Sequence, residues 1–220
     1  MKKEKIELHN GGAMAVLSTN GGFIQKFSVD GRDILYSDNL VDVNGEKKKR
    51  GGIPILFPWA GALENLPQHG FARDKKWRKI KVNKDLIRKR ALLELTDDKE
   101  TLKIFPYHFR CELKVELGDR ELFYLLTIFN RDKRDMPITP GLHPYFKIHS
   151  SDLKNLKTNI SGFKGTDYEL SKTLFFPLQP VEVFIPDLGK IKITYGKDFN
   201  RKQAKLVVWS DKPDYLCFEA

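Results

Sequence analysis

Apolar and polar positions alternate with a period of two along much of the chain. From Phe109 to Leu117 the odd positions (Phe109, Cys111, Leu113, Val115, Leu117) are apolar and the even ones (Arg110, Glu112, Lys114, Glu116) are charged. That is the signature of a half-buried strand, because successive side chains leave opposite faces of the pleat. Gly118-Asp119 follows as a turn, and Glu121–Asn130 is apolar on both alternations. The pair predicts a hairpin whose second strand lies deep in a sheet. Asp30-Gly31 predicts a tight turn between strands at Phe23–Val29 and Ile34–Tyr36. Short alternating segments recur at Val181–Ile185, Lys190–Tyr195, Lys205–Trp209 and Tyr215–Glu219. Helical periodicity is confined to Asp98–Phe105, a turn or two that Pro106 would end. The run Glu46–Arg50 reads as a solvated loop. No repeat, low-complexity tract or linker interrupts the chain. An all-β architecture is expected, with many short antiparallel strands forming a sandwich or barrel as a single domain over residues 1–220.

Composition narrows the partners. With 40% hydrophobic residues, including 15 Phe, 7 Tyr and 3 Trp, the 220-residue chain can bury a real core and is not a disordered one. Its 39 basic and 29 acidic residues give a net charge of +10, which attracts anions such as phosphorylated metabolites, nucleic acid or acidic surfaces. The lysines are scattered, and neither an RNP-like aromatic strand nor a helix-turn-helix pattern appears, so no nucleic-acid partner is expected. The longest mostly apolar run, Ile53–Leu63, is short and broken by Pro54 and Pro58, so no membrane span is expected. The N-terminal MKKEKIELHN has no following apolar stretch and does not read as a secretory signal. Cys111 and Cys217 form no CxxC motif and have no neighbouring His, so no metal is expected; they read as reduced, buried thiols. A cytoplasmic monomer is the expectation.

Three segments embed polar groups in stiff or apolar surroundings. Arg50–Gly61 combines a glycine pair with two prolines and Trp59, which favours a shaped loop or edge over a central strand. Gln68–Arg73 follows, where His69 and Arg73 flank a small apolar step that lets backbone approach a ligand. The alternative is a structural loop with a surface arginine. In Thr139–Phe146, His143 is held between Leu142 and Pro144 beside Tyr145 and Phe146. An imidazole so fixed is a proton donor or acceptor near neutral pH, or a buried histidine bonded to a carbonyl. Glu219 shares one strand face with Tyr215 and Cys217. A carboxylate on an apolar strand becomes a stronger base if buried, or is merely exposed if the chain end frays. His9, His108 and His149 lack such settings and read as structural or surface residues.

Taken together these segments resemble the galactose-mutarotase-like superfamily, and most nearly its aldose 1-epimerase and hexose-6-phosphate 1-epimerase branch. The resemblance rests on RGGIP-x-x-FP-x-x-G at 50–61, HGFAR at 69–73, FPYHF at 105–109, GLHPYF at 141–146 and VVWSDKPDYLCFE at 207–219, in the family's order. It implies a large antiparallel β-sandwich with a concave sugar-binding face and no cofactor. It implies that His143 is a general acid and Glu219 a general base, that His69 binds sugar hydroxyls, and that Arg50 and Arg73 hold an anionic substrate. The family's late sugar-binding aspartate has no clear counterpart, although Glu182 and Asp187 lie in its region, and the usual continuation after the base is missing.

The expected reaction interconverts the α and β anomers of a hexose or hexose 6-phosphate. The anomeric hydroxyl loses a proton while the ring oxygen gains one, which one base and one acid on opposite sides of the ring would accomplish. Rotation about C1–C2 and reversal of the transfers complete the exchange. Arginine forks suit phosphate, which favours the phosphorylated sugar. Phe57, Trp59 and Tyr145 are candidates to stack on the pyranose, or else core residues. A non-catalytic carbohydrate-binding protein is the alternative function.

Overall fold

The structure is a computed structural model that describes residues 4–37, 39–84, 89–196 and 204–220. Of the N-terminal segment, residues 1–3 therefore lie outside the described residues. Strands dominate, with a single short α-helix at Lys99–Ile104 and three 3₁₀ turns among the described residues. Every ladder between the described strands is antiparallel. No described helix is long and apolar enough to cross a membrane. By its internal contacts the chain divides into two compact units. One comprises Met1–Gly31 with Ile53–Leu142, the other Arg32–Gly52 with His143–Ala220.

In the first unit, strands Lys5–Asn10, Ala13–Ser18 and Phe23–Val29 pair in chain order. A four-stranded sheet runs in the order Leu122–Asn130, Phe109–Leu117, Lys89–Thr96, Arg78–Lys84. The apolar row of Phe109–Leu117 is buried, as the alternation requires. Leu122–Asn130, however, is the outer strand of this sheet rather than a deep one, and Phe123 and Leu125 are 45% and 40% exposed. A run apolar on both faces does not distinguish a central strand from an edge strand partly shielded by aliphatic and cationic side chains. Here the Arg110 guanidinium lies 4.1 Å from the Phe129 ring centroid and supplies such shielding. The helix is where the sequence places it. Asp98 caps it by accepting from the Glu100 and Thr101 amides, while the Thr101 hydroxyl accepts from the Asp98 amide.

In the second unit, a four-stranded sheet runs Tyr145–Lys147, Tyr215–Glu219, Lys205–Trp209, Leu174–Pro177. A smaller sheet holds Lys157–Thr158, Val181–Ile185 and Gly189–Ile193. The charged run Glu46–Arg50 is a strand, not a loop. It pairs with Asn39–Val43 through an Asn44-Gly45 turn at positive φ, and both strands stay largely exposed, so the charges are tolerated. Asp30 and Gly31 do turn at positive φ, but the strand that follows is only Arg32–Asp33. Ile34–Tyr36 instead runs beside the 145–147 strand: the Lys147 amide donates to the Ile34 carbonyl at 2.9 Å and the Tyr36 amide to the Tyr145 carbonyl at 2.8 Å.

The HGFAR step owes its glycine to backbone crowding in its own unit. Gly70 has φ +67°, and a Cβ there would fall 2.2 Å from the Phe57 carbonyl oxygen. That oxygen accepts the amides of Phe71 at 3.0 Å and Ala72 at 3.2 Å, so it cannot yield without breaking the loop. Gly70→Ala should therefore destabilise the protein by roughly 1–3 kcal/mol, read as a lower urea midpoint at unchanged slope. An unchanged midpoint would show that this loop relaxes freely.

Candidate active site

His143 and Glu219 meet because of strand register. Tyr145 pairs with Cys217 in the antiparallel ladder, and two residues further along that register His143 falls opposite Glu219. The His143 Nε2 and Glu219 Oε1 atoms are 3.1 Å apart, with side chains only 8% and 13% exposed. The chain end is thus held, not frayed. His143 stacks on Tyr145 with centroids 4.5 Å apart at an interplanar angle of 6°, and meets Trp209 edge-on at 5.6 Å. These contacts fix the imidazole plane. Burial pushes the Glu219 carboxyl up from its ordinary 4.5 to about 8. The pair therefore retains a proton that an exposed carboxylate would have released. The two groups adjoin.

Asp211, which the sequence reading passes over, anchors the neighbouring wall. The Arg50 guanidinium donates to Asp211 through Nη2 at 2.7 Å and Nε at 3.2 Å, and the Tyr215 hydroxyl also donates to Asp211. Arg50 Nη1 donates to the Lys49 carbonyl at 3.0 Å, and its guanidinium carbon lies 5.4 Å from the Trp209 ring centroid. Burial opposes charge on Asp211, but hydrogen bonds from Arg50 and Tyr215 outweigh it and hold the carboxyl below the usual range. Burial likewise opposes the Arg50 cation and is outweighed by Asp211, so the guanidinium stays charged. The arginine fork read as a phosphate clamp is thus engaged by a carboxylate of its own chain. The only advance signal for Asp211 is its place in the WSDKPDY turn that joins the strands carrying Trp209 and Glu219.

In the first unit, His69 adopts φ +66°. Its Nδ1 accepts the Gly61 amide at 2.9 Å, while its own amide donates to the Gly61 carbonyl at 2.7 Å. Accepting at Nδ1 places the neutral ring's proton on Nε2, which makes that edge a donor. Arg73, in the 3₁₀ turn Ala72–Asp74, donates to the Gln68 carbonyl at 2.8 Å and keeps 37% of its side chain exposed. Phe57, Trp59 and Tyr145 are buried core residues. Glu182 pairs with Lys190 at 2.7 Å, and Asp187 lies 3.5 Å from His149. Cys111 and Cys217 are both free and buried, whereas His9, His108 and His149 are exposed.

An imidazole–carboxyl pair buried in an all-β chain is suited to proton transfer, and the chain shares its fold with solved proteins described as galactose-mutarotase-related. The chain aligns in full with 85% of the Slr1438 protein from Synechocystis sp. PCC 6803, at 28% identity and a TM-score of 0.82. It aligns over 98% of its length with 84% of a galactose mutarotase related enzyme from Lactobacillus acidophilus, at 20% identity and a TM-score of 0.75. The galactose-mutarotase-like β-sandwich is therefore its fold. The sequence profile "Aldose 1-epimerase" matches residues 4–214, and the chain belongs to that family. Among curated relatives, a "Putative glucose-6-phosphate 1-epimerase" of Cenchrus ciliaris is 29% identical over 88% of this chain and 63% of its own length. The protein of the same name from Escherichia coli (strain K12) is 29% identical over 53% of this chain and 38% of its own length. The chain thus spans less than two thirds of these curated relatives.

Two stability effects follow from these electrostatics. Glu219 binds its proton more tightly folded than unfolded, so its cost to stability is absent below about pH 4.5, grows with rising pH and is complete above about pH 8. Glu219→Gln should raise Tm by roughly 3 °C or more at pH 9 and leave it nearly unchanged at pH 4. A gain independent of pH would mean that the carboxyl is not burdened by burial. Asp211→Ala leaves the half-buried Arg50 cation without its carboxylate and should cost about 3–5 kcal/mol in chemical denaturation.

Proposed function

We propose that this protein is an aldose 1-epimerase that interconverts the anomers of a hexose, with hexose 6-phosphate as the preferred substrate. The observation that carries the reading is the buried His143–Glu219 contact of 3.1 Å. The anomeric and ring oxygens of a pyranose are both bonded to C1, so they present adjoining targets, and the pair is adjoining too. Glu219 takes the proton of the anomeric hydroxyl as His143 delivers one to the ring oxygen. C1 becomes an aldehyde, C1–C2 rotates, and the reverse transfers close the ring on the other face. The pair begins and ends with one proton, and the competent form is the one in which that proton sits on His143 and Glu219 is ionised; the raised proton affinity of Glu219 then makes it the stronger base. Such acid–base assistance is typically worth about 10²–10⁴-fold, and fixing the sugar against the pair adds to it.

The phosphate preference is supported by the net charge of +10 and by the names of the curated relatives. The family resemblance supports substrate-binding roles for His69 and Arg73, with Arg73 the proposed phosphate ligand. Arg50 acts through Asp211, holding the wall beside Trp209, more than as a direct ligand. The protein is proposed to work as a monomer on a small-molecule sugar.

Anomer interconversion of glucose and glucose 6-phosphate, followed by NMR, tests this. Glu219→Gln should lower kcat about 10²–10⁴-fold while retaining sugar affinity. Arg73→Ala should raise KM for glucose 6-phosphate and leave glucose unaffected. Wild-type rates in Glu219→Gln would remove the carboxylate from the mechanism. Equal treatment of both sugars by wild type and Arg73→Ala would remove the phosphate clamp.

A further inference from the structure

The acid–base pair has a third neighbour with chemistry of its own. Cys217 is fully buried, and its sulfur, one His143 ring nitrogen and one Glu219 carboxylate oxygen all lie within 4.8 Å of one another. The cysteine motifs of the sequence give no hint of this. The donors come from two distant segments, and Cys217 and Glu219 share a face only because they are two apart on one strand.

We propose that His143, Cys217 and Glu219 form a binding site for a zinc ion, which on loading blocks the acid–base pair. First, imidazole, thiolate and carboxylate are each zinc ligands, and the sulfur and nitrogen donors disfavour magnesium and calcium. Second, ligand atoms on a tetrahedral zinc shell lie roughly 3.3–3.8 Å apart. The His143 and Glu219 atoms lie 3.1 Å apart and the whole set within 4.8 Å, which is close to that spacing. Third, the charges balance. Zinc with a thiolate, a carboxylate and a neutral imidazole sums to zero, which a buried site tolerates far better than an unpaired ion. Because the imidazole is clamped between Tyr145 and Trp209, and both other donors project from one ladder strand, little ordering remains on binding. The inhibitory consequence rests on the epimerase reading; the metal binding does not.

The test uses the untagged, chelator-stripped full chain titrated with Co²⁺ and then Zn²⁺. One equivalent of Co²⁺ should give a thiolate-to-cobalt charge-transfer band with tetrahedral d–d absorption, and Zn²⁺ should displace it. Cys217→Ser should abolish the band and weaken Zn²⁺ binding at least tenfold, with Cys217→Ala serving equally if serine disturbs packing. Zn²⁺ should inhibit anomer interconversion by the wild type, while the Cys217 variants stay active in its presence. Absence of the charge-transfer band, its survival in the Cys217 variants, or equal Zn²⁺ affinity in all three proteins overturns the site. A Cys217-dependent band in a protein without interconversion activity upholds the zinc site and refutes the epimerase reading instead.

Discussion

The antiparallel pairing of Tyr145–Lys147 with Tyr215–Glu219 is the constraint on which the site depends. It converts a long separation in sequence into cross-strand neighbours, and it does so with backbone hydrogen bonds rather than with the reactive side chains themselves. Ile34–Tyr36 reinforces the same strand from its other edge. A slip of one residue would reverse every side chain of the terminal strand and send Glu219 to the opposite face. The reactive geometry is thus as secure as the sheet, and the two groups need not attract one another to be held together.

The surrounding electrostatics divide two tasks. Arg50, Asp211 and Tyr215 form a wall in which each charge has a partner, so it can be buried and rigid. Glu219 is buried beside an imidazole, and that burial holds its proton well above the range of an exposed carboxyl. That burial costs stability as the pH rises through the carboxyl's raised pKa. Tyr145, Trp209 and Tyr215 supply the stiff aromatic frame that keeps the pair from relaxing toward water.

Much of the fold is legible in the sequence, and the departures share one cause. Val181–Ile185, Lys205–Trp209 and Tyr215–Glu219 are strands at the expected bounds, and Asp98 caps the short helix that precedes Pro106. Alternation and caps are local signals, and local signals suffice there. Leu122–Asn130 reads as a deep strand and is an outer one because its neighbours come from elsewhere in the chain. Glu46–Arg50 reads as a loop and is a strand because Asn39–Val43 offers it a partner. In the site, His143 and Glu219 stand out as polar groups in stiff apolar segments. Asp211 does not, because an aspartate in a turn is commonplace until its arginine is seen.

The sequence by itself determined the all-β character and the core rows, and marked which polar residues sit in apolar settings. These follow from period-two burial and from the free energy of desolvating polar groups, which depend on near neighbours along the chain. Only the tertiary structure decided that His143 and Glu219 adjoin, that Arg50 is engaged by Asp211, and that Cys217 lies beside both. Those facts belong to register and to contacts between distant segments, which hydrogen-bonded pairing fixes and composition does not encode.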